Sequence, residues 1–239
     1  MSETVQERLA DVEARIAAAC ERAGRAPSGV SIVAVTKTFG PEVVAEAASA
    51  GLSVMGENRV QEAVQKIPLC PGRLEWHMIG HLQRNKVRQI LGLVEWVHSV
   101  DSERLLQTID RVAGELGRTM PVLLEINVSG ESSKHGLAPD AAGPLVAAAC
   151  GLRNVEVRGF MTIPPFTPDA GDARPYFRAL RRLRDTCSRK YDVELPELSM
   201  GMSNDFDVAV EEGATWIRLG SVLFGRRTGK TWTRELGGL

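Results

Sequence analysis

The stretch Val30-Ser31-Ile32-Val33-Ala34-Val35, followed by a segment with Pro41 at its start and Gly51 at its end and then by Leu52-Ser53-Val54-Met55, decides the fold. A short β-branched run bounded by turn residues reads as a buried strand. Proline suits the first turn of a helix and glycine the position after its last. Strand, helix and strand in this order form one parallel unit. Outward from it the alternation repeats. A helix is expected from about Arg59 to Lys66, a strand over Leu74–Ile79 and a short helix over Lys86–Leu91. Then come Trp96–Val100, a helix from Ser102 to Gly117, Pro121–Val128, a helix over Pro139–Ala149, and Val155–Ile163. A Pro-rich loop, a helix from Ala173 to Arg189, Leu195–Met200, a helix over Asp205–Glu212 and Trp216–Leu219 complete the pattern. Eight strands alternating with helices predict an α/β fold, a (β/α)8 TIM barrel. A doubly wound open sheet is the alternative, because strand order is invisible in sequence. The leading segment, with Val5, Leu9, Val12, Ile16 and Ala19 at helical spacing, predicts an extra N-terminal helix, capped by Ser2 and stopped by Gly24.

Composition excludes several classes. The 239 residues are 44% hydrophobic and 25% charged, with 29 Lys and Arg against 30 Asp and Glu. A balance this near zero argues against a dedicated nucleic-acid or membrane-surface binder. No apolar run reaches the roughly 20 residues of a membrane span. Met1-Ser2-Glu3-Thr4 carries an acid and no apolar run, so no secretory signal is expected. Cys20, Cys70, Cys150 and Cys187 are far apart, which fits reduced thiols in the cytoplasm and no thiolate metal site. No linker or compositional shift divides the chain, so residues 1–239 are expected to form one domain.

Barrel sites form at the carboxyl ends of the strands. After the first strand comes Lys37, whose amine, desolvated there, can attack a carbonyl. A lysine emerging into solvent is the plainer alternative. After the seventh come Ser199-Met200-Gly201-Met202-Ser203-Asn204, and after the eighth Arg218-Leu219-Gly220-Ser221. Loops seven and eight commonly hold phosphate in such barrels. Gly201 and Gly220 allow close backbone approach, while Ser203 and Ser221 add hydroxyls and are each expected to open a helix. Alternation turns Arg218 away from Ile217 and Leu219 into the lumen, where it must meet an acceptor; an ion pair with Glu57 or Glu125 is one option. An amine for an aldehyde, a phosphate cradle and an inward arginine together suit pyridoxal phosphate.

The resemblance is specific at this point. Val33-Ala34-Val35-Thr36-Lys37, Met55 through Glu62, His77 through Lys86, Leu198 through Asp205 and Ile217 through Ser221 resemble the pyridoxal phosphate homeostasis protein family, which has the fold of the alanine racemase N-terminal domain. The likeness runs from about Glu7 to Arg226, in matching order; Ser221 departs from it where many members carry Thr. It implies a pyridoxal 5'-phosphate-binding protein with the cofactor as a Schiff base on Lys37. Asn58 would lie beside the cofactor. Ser199, Ser203, Gly220 and Ser221 would surround the phosphate, and Arg218 would face the pyridine nitrogen.

Arginine at that nitrogen disfavours its protonation and leaves the ring a weak electron sink. A racemase with this arrangement needs a second base, a tyrosine from a separate domain. The two tyrosines, Tyr176 and Tyr191, fall on a helix expected outside the barrel, and no second domain is expected. The expected role is therefore intracellular pyridoxal phosphate homeostasis rather than an enzyme's. A weak amino-acid racemase is the alternative, and a class I aldolase-like lyase a more remote one. The expected partners are pyridoxal phosphate and apo-enzymes that require it, with no nucleic acid and no membrane, for a cytoplasmic monomer. His77 and His81 lack the intervening glutamate of a helical metal motif, so no metal is expected. The basic run Arg178 to Lys190 has the spacing of a solvated helix face. The Glu131–Gly136 loop, with Lys134 and His135, is a candidate flap.

Overall fold

The β-branched runs form β1 (Ser31–Val35), β2 (Val54–Glu57), β3 (Glu75–Met78) and β4 (Trp96–Val100). They continue as β5 (Met120–Glu125), β6 (Val155–Met161), β7 (Glu197–Met202) and β8 (Trp216–Leu219). The computed structural model describes residues 3–70, 72–131, 134–225 and 232. Each strand pairs in parallel with the next, and β8 pairs back onto β1 from Ser31↔Trp216 to Ala34↔Leu219. The sheet is a closed barrel, not an open doubly wound one.

Outside it lie α2 (Pro41–Ser49), α3 (Val60–Lys66), α4 (Val87–Ile90), α5 (Glu103–Glu115), α6 (Pro139–Ala149), α7 (Arg174–Tyr191) and α8 (Phe206–Glu211). Among the described residues, the helix after β8 is the four-residue α9 (Ser221–Phe224). The leading helix α1 (Val5–Ala23) packs against α8, α9 and α2, so it fills the outer position between α8 and α2. Its apolar face buries Val5, Leu9, Val12, Ile16 and Ala19, and its polar face pairs Arg15 with Asp207 at 2.6 Å and Arg22 with Glu211 at 2.7 Å. The cap is Thr4 rather than Ser2, which lies outside the described residues. Thr4 Oγ1 accepts from Glu7 N at 3.2 Å and Thr4 N donates back to Glu7 Oε2 at 2.8 Å, a reciprocal capping box.

Two strands end earlier than their composition predicts. β5 stops at Glu125 because Leu137 N donates to Glu125 O and Asn127 N to Leu137 O, so a returning loop takes over the pairing. β6 stops at Met161, two residues short of Ile163, ahead of Pro164 and Pro165, which lack the N–H a ladder needs. Outward side chains such as Ala34, Met55 and Met78 join the main apolar core beneath the helices, and Val33, Val35 and Ile79 form a separate small cluster. Among the described residues no helix is long and apolar enough to cross a membrane.

One glycine fixes how α8 seats on β7. Gly201 has φ 91°, and a Cβ there would stand 2.5 Å from Ala209 Cβ. Gly201→Ala is expected to destabilise the protein by about 2–4 kcal/mol, from overpacking plus backbone strain, measurable as a lowered urea midpoint.

Candidate functional site

Parallel register places the residues after each strand at one end of the barrel. Closure makes β7, β8, β1 and β2 consecutive around the ring. The pairing Ala34↔Leu219 brings Gly220 level with Val35, and Val35↔Gly56 brings Lys37 level with Asn58. Lys37 and Asn58, which are 21 positions apart in sequence, and Gly220, far downstream, thus share one arc of the rim. Lys37 is half-buried in the turn after β1. Asn58 follows β2, and its Oδ1 is buried with no hydrogen-bond partner. Gly80, after β3, lets the two loops approach: a Cβ there would stand 2.3 Å from Asn58 O.

Ser203 does not open a helix, since α8 starts at Phe206. Its hydroxyl crosses to the neighbouring loop, where Oγ accepts from Gly220 N and Val222 N, each at 3.3 Å. Ser221, exposed, begins α9. Two backbone N–H groups therefore converge on one oxygen, and Gly220 adds no side chain in their way. That is the donor set an anion requires. Ser199 stands apart from this group. It is level with Trp216 in the β7–β8 pairing, four residues before Gly220, roughly 13 Å down the strand. The structure thus separates Ser199 from the cradle it was expected to share. Its Oγ instead accepts from Arg218 Nη1 at 2.7 Å and contacts His98 Nδ1 at 2.9 Å.

Arg218 lies in the lumen, as alternation predicts. Neither Glu57 nor Glu125 pairs with it. Its Nη2 donates to Thr162 O at 2.8 Å, so Ser199 and Thr162 fix the guanidinium plane. Burial lowers its pKa to about 10, opposed by the charges of Asp205 and Glu125, which leaves it cationic at neutral pH. The same enclosure holds His98 well below the usual imidazole range, helped by His77 and Arg218.

A group that sequence reading overlooks supports the Lys37 turn. Lys66, on α3, is fully buried and donates to Glu57 Oε1 and Glu62 Oε1, each at 2.7 Å, and to Thr36 O at 2.9 Å. Thr36 Oγ1 donates to Glu57 Oε1 at 2.7 Å and Thr38 N to Glu62 Oε1 at 2.5 Å. Burial holds Glu57 above the usual carboxylate range, although Lys66 and Thr36 favour its charged form. In sequence Glu62 and Lys66 are an i,i+4 pair of the kind usually found on a solvated helix face. Only their burial shows otherwise. Trp232 N donates to Thr38 O at 3.0 Å, so part of the C-terminal segment also meets this turn. Arg226, where the family likeness was expected to stop, lies outside the described residues.

Residues 8–228 match the alanine racemase N-terminal domain family. A pyridoxal phosphate homeostasis protein of Aquifex aeolicus is 48% identical over 222 residues, spanning 92% of this chain and 97% of that one. The chain belongs to the pyridoxal phosphate homeostasis protein family. PipY of Synechococcus elongatus, solved with pyridoxal phosphate bound, superposes with a TM-score of 0.80 at 37% identity, over 93% of this chain and all of that one. An alanine racemase of Clostridium difficile shares the fold, with a TM-score of 0.70 at 15% identity, over 97% of this chain and 59% of that one.

The opposite arc of the rim, after β3, β4 and β5, differs in character from the one carrying Lys37 and Gly220. His77 and His81 part company, because strand and loop send them to different levels. His77 is buried in the lumen against Glu75 Oε1 at 2.8 Å. His81 reaches Asp101 Oδ2 at 3.1 Å and stacks on His135, with centroids 4.2 Å apart and planes 14° from parallel. The donor atoms of His81, Asp101 and His135 lie within 4.8 Å of one another. Stacked rings direct their nitrogens side by side rather than at one ion, which ligates in the plane of each ring. The candidate flap is tied at its base, where Asn127 Nδ2 donates to Glu131 O at 2.8 Å and Gly130 N to Asn127 Oδ1 at 3.0 Å; Ser132 and Ser133 lie outside the described residues. Of the basic run, Arg178 pairs with Glu212 at 2.8 Å and Arg184 with Asp185 at 2.7 Å.

Two outcomes follow from these charges. Lys66→Met leaves two buried carboxylates uncompensated and is expected to cost about 3–5 kcal/mol in denaturant melts. Glu125, at the end of β5, is raised above the usual carboxylate range by burial and by Asp101, against the pull of Arg218 and His135. A raised folded-state value favours the fold at low pH and loses that contribution as pH climbs from the ordinary value of 4.5 through the folded one. Glu125→Gln should therefore melt higher than the unaltered protein at pH 8, with the difference narrowing towards pH 4.5.

Proposed function

We propose that this chain binds pyridoxal 5'-phosphate on the arc formed by β7, β8, β1 and β2, and holds it as a Schiff base on Lys37. It keeps the free cofactor low and passes it to apo-enzymes that require it, without strong catalysis of its own. The observation that carries this reading is the pairing of β8 with β1, which sets a lysine-bearing turn beside converging backbone N–H groups. The bound cofactor of PipY supports it.

When bound, the cofactor supplies an aldehyde that condenses with an amine, releasing water, and a phosphate anion. The residues present fit such a group. Ser203 Oγ already occupies the focus of the Gly220 and Val222 N–H groups, as a phosphate oxygen would, and Ser221 adds an exposed hydroxyl. The unpartnered Oδ1 of Asn58 offers a buried polar atom level with Lys37. Arg218, held by Ser199 and Thr162, keeps a fixed positive charge in the lumen below. That charge opposes protonation of a pyridine nitrogen and weakens the ring as an electron sink, which favours storage over carbanion chemistry.

The racemase alternative has only the shared fold in its favour. The two tyrosines, Tyr176 and Tyr191, both lie on α7, outside the strand ring, which does not favour either as its second base. We take the chain to act as a single domain, cytoplasmic and monomeric, in keeping with its four unpaired cysteines.

Incubation with pyridoxal phosphate should give the protein a visible absorbance band, and borohydride reduction should leave the phosphopyridoxyl mass on the peptide containing Lys37. Lys37→Ala should abolish both. A colourless, unmodified wild type would refute the proposal. Chiral analysis of L-alanine or L-serine with the loaded protein should show turnover far below the 1 per second or so of an ordinary enzyme.

A further inference from the structure

We infer that Glu62, seated by the buried ammonium of Lys66, is the positioning residue for Lys37, and that it works by holding the turn after β1 in a conformation its own sequence resists. This rests on the role proposed for Lys37 above. The strain is local and visible. Thr38 has φ 74°, in the left-handed region, and it and Asp192 are the non-glycine residues with positive φ among those described. A β-branched side chain is poorly tolerated there. Such a conformation persists only where its surroundings over-determine it.

The surroundings are specific. Thr38 N donates to Glu62 Oε1 at 2.5 Å, and Thr36 O accepts from Lys66 Nζ at 2.9 Å. The peptide groups on both sides of Lys37 are therefore anchored on one buried cluster, and the direction of its side chain is set between them. Lys66 has three partners, Thr36 O, Glu57 Oε1 and Glu62 Oε1, which match the three donors of an ammonium. Glu57 in turn holds the Thr36 hydroxyl. A buried ion cluster is a poor source of net stability compared with apolar packing of the same volume. Its placement under the one turn that bears the reactive amine fits a different role, that of fixing geometry. An amine held in place loses less freedom on capturing a ligand. Glu62 acts through the backbone of Thr38, whose N–H it accepts.

The test uses the full chain in five forms: wild type, Glu62→Gln, Glu62→Ala, Thr38→Gly, and the double variant Thr38→Gly with Glu62→Ala. Cofactor-free protein is examined by hydrogen exchange over residues 36–39 and by thermal melting. Loaded protein is examined by titration with pyridoxal phosphate and by borohydride-trapped mass on Lys37. Glu62→Ala should speed exchange at Thr38 and weaken capture about tenfold or more. Glu62→Gln keeps an acceptor and should stay within about threefold of wild type. Glycine adopts a φ of 74° without strain, so Thr38→Gly should change capture little alone and restore most of it in the Glu62→Ala background. A merely structural role predicts no such rescue.

Wild-type capture by folded Glu62→Ala protein overturns the inference, and so does failure of Thr38→Gly to rescue it. If Glu62→Ala does not fold, unchanged exchange at Thr38 in Glu62→Gln together with a tenfold or greater loss of capture overturns it. Should wild type itself capture nothing, the role of Lys37 fails; accelerated exchange at Thr38 in Glu62→Ala would still establish the clamp, and unchanged exchange would refute it.

Discussion

The pairing of β8 with β1 is the constraint on which the rest depends. The same strand order left open between β8 and β1 would leave Lys37 at one edge and Gly220 at the other. Closure makes them neighbours, with Ala34 opposite Leu219 and the following residues on a common rim. It also removes both sheet edges, so every strand has two partners. The leading helix α1 completes the same closure on the outside. Val5, Leu9, Val12 and Ile16 of α1 cover the seam between α8 and α2.

Inside the ring the charged groups are handled by satisfaction rather than by exposure. Arg218 is nearly inaccessible, yet two of its nitrogens have acceptors in Ser199 and Thr162, neither of them anionic. A guanidinium held by neutral acceptors retains its positive field instead of cancelling it in an ion pair. Glu125 and Asp205 act on it only through space. A pyridine nitrogen brought beside it, as proposed above, would be hard to protonate.

The Lys66 cluster solves another problem. The turn after β1 must reverse direction within Thr36-Lys37-Thr38, a sequence with no glycine or asparagine to take the left-handed conformation. The fold supplies from α3 what the turn lacks locally. The carboxylate of Glu62 takes the Thr38 N–H, and Lys66 takes the Thr36 carbonyl. Turn and helix are thus tied, and a change on α3 should be felt at the rim.

Much of this was legible in the sequence, and what was not has a common cause. The spacing of the β-branched runs gave eight strands, alternation gave the inward Arg218, and the order of the strands put the residues after strands one, seven and eight at one end of the barrel. Those readings depend on local geometry, in which a residue's neighbours are its sequence neighbours. A loop motif does not state how far each member lies below the rim, so the contacts of Ser199 with Arg218 and His98 are not legible in it, and β5 was overextended because the loop that ends it returns from Leu137. Glu62 and Lys66 look like a surface pair until α3 is packed under the turn. Sequence alone determined the order of elements and the residue types at each strand's carboxyl end. Tertiary structure alone decided which ends meet, which charges are buried and which hydrogen bonds hold Lys37 in place, because burial and long-range pairing arise only when the ring closes.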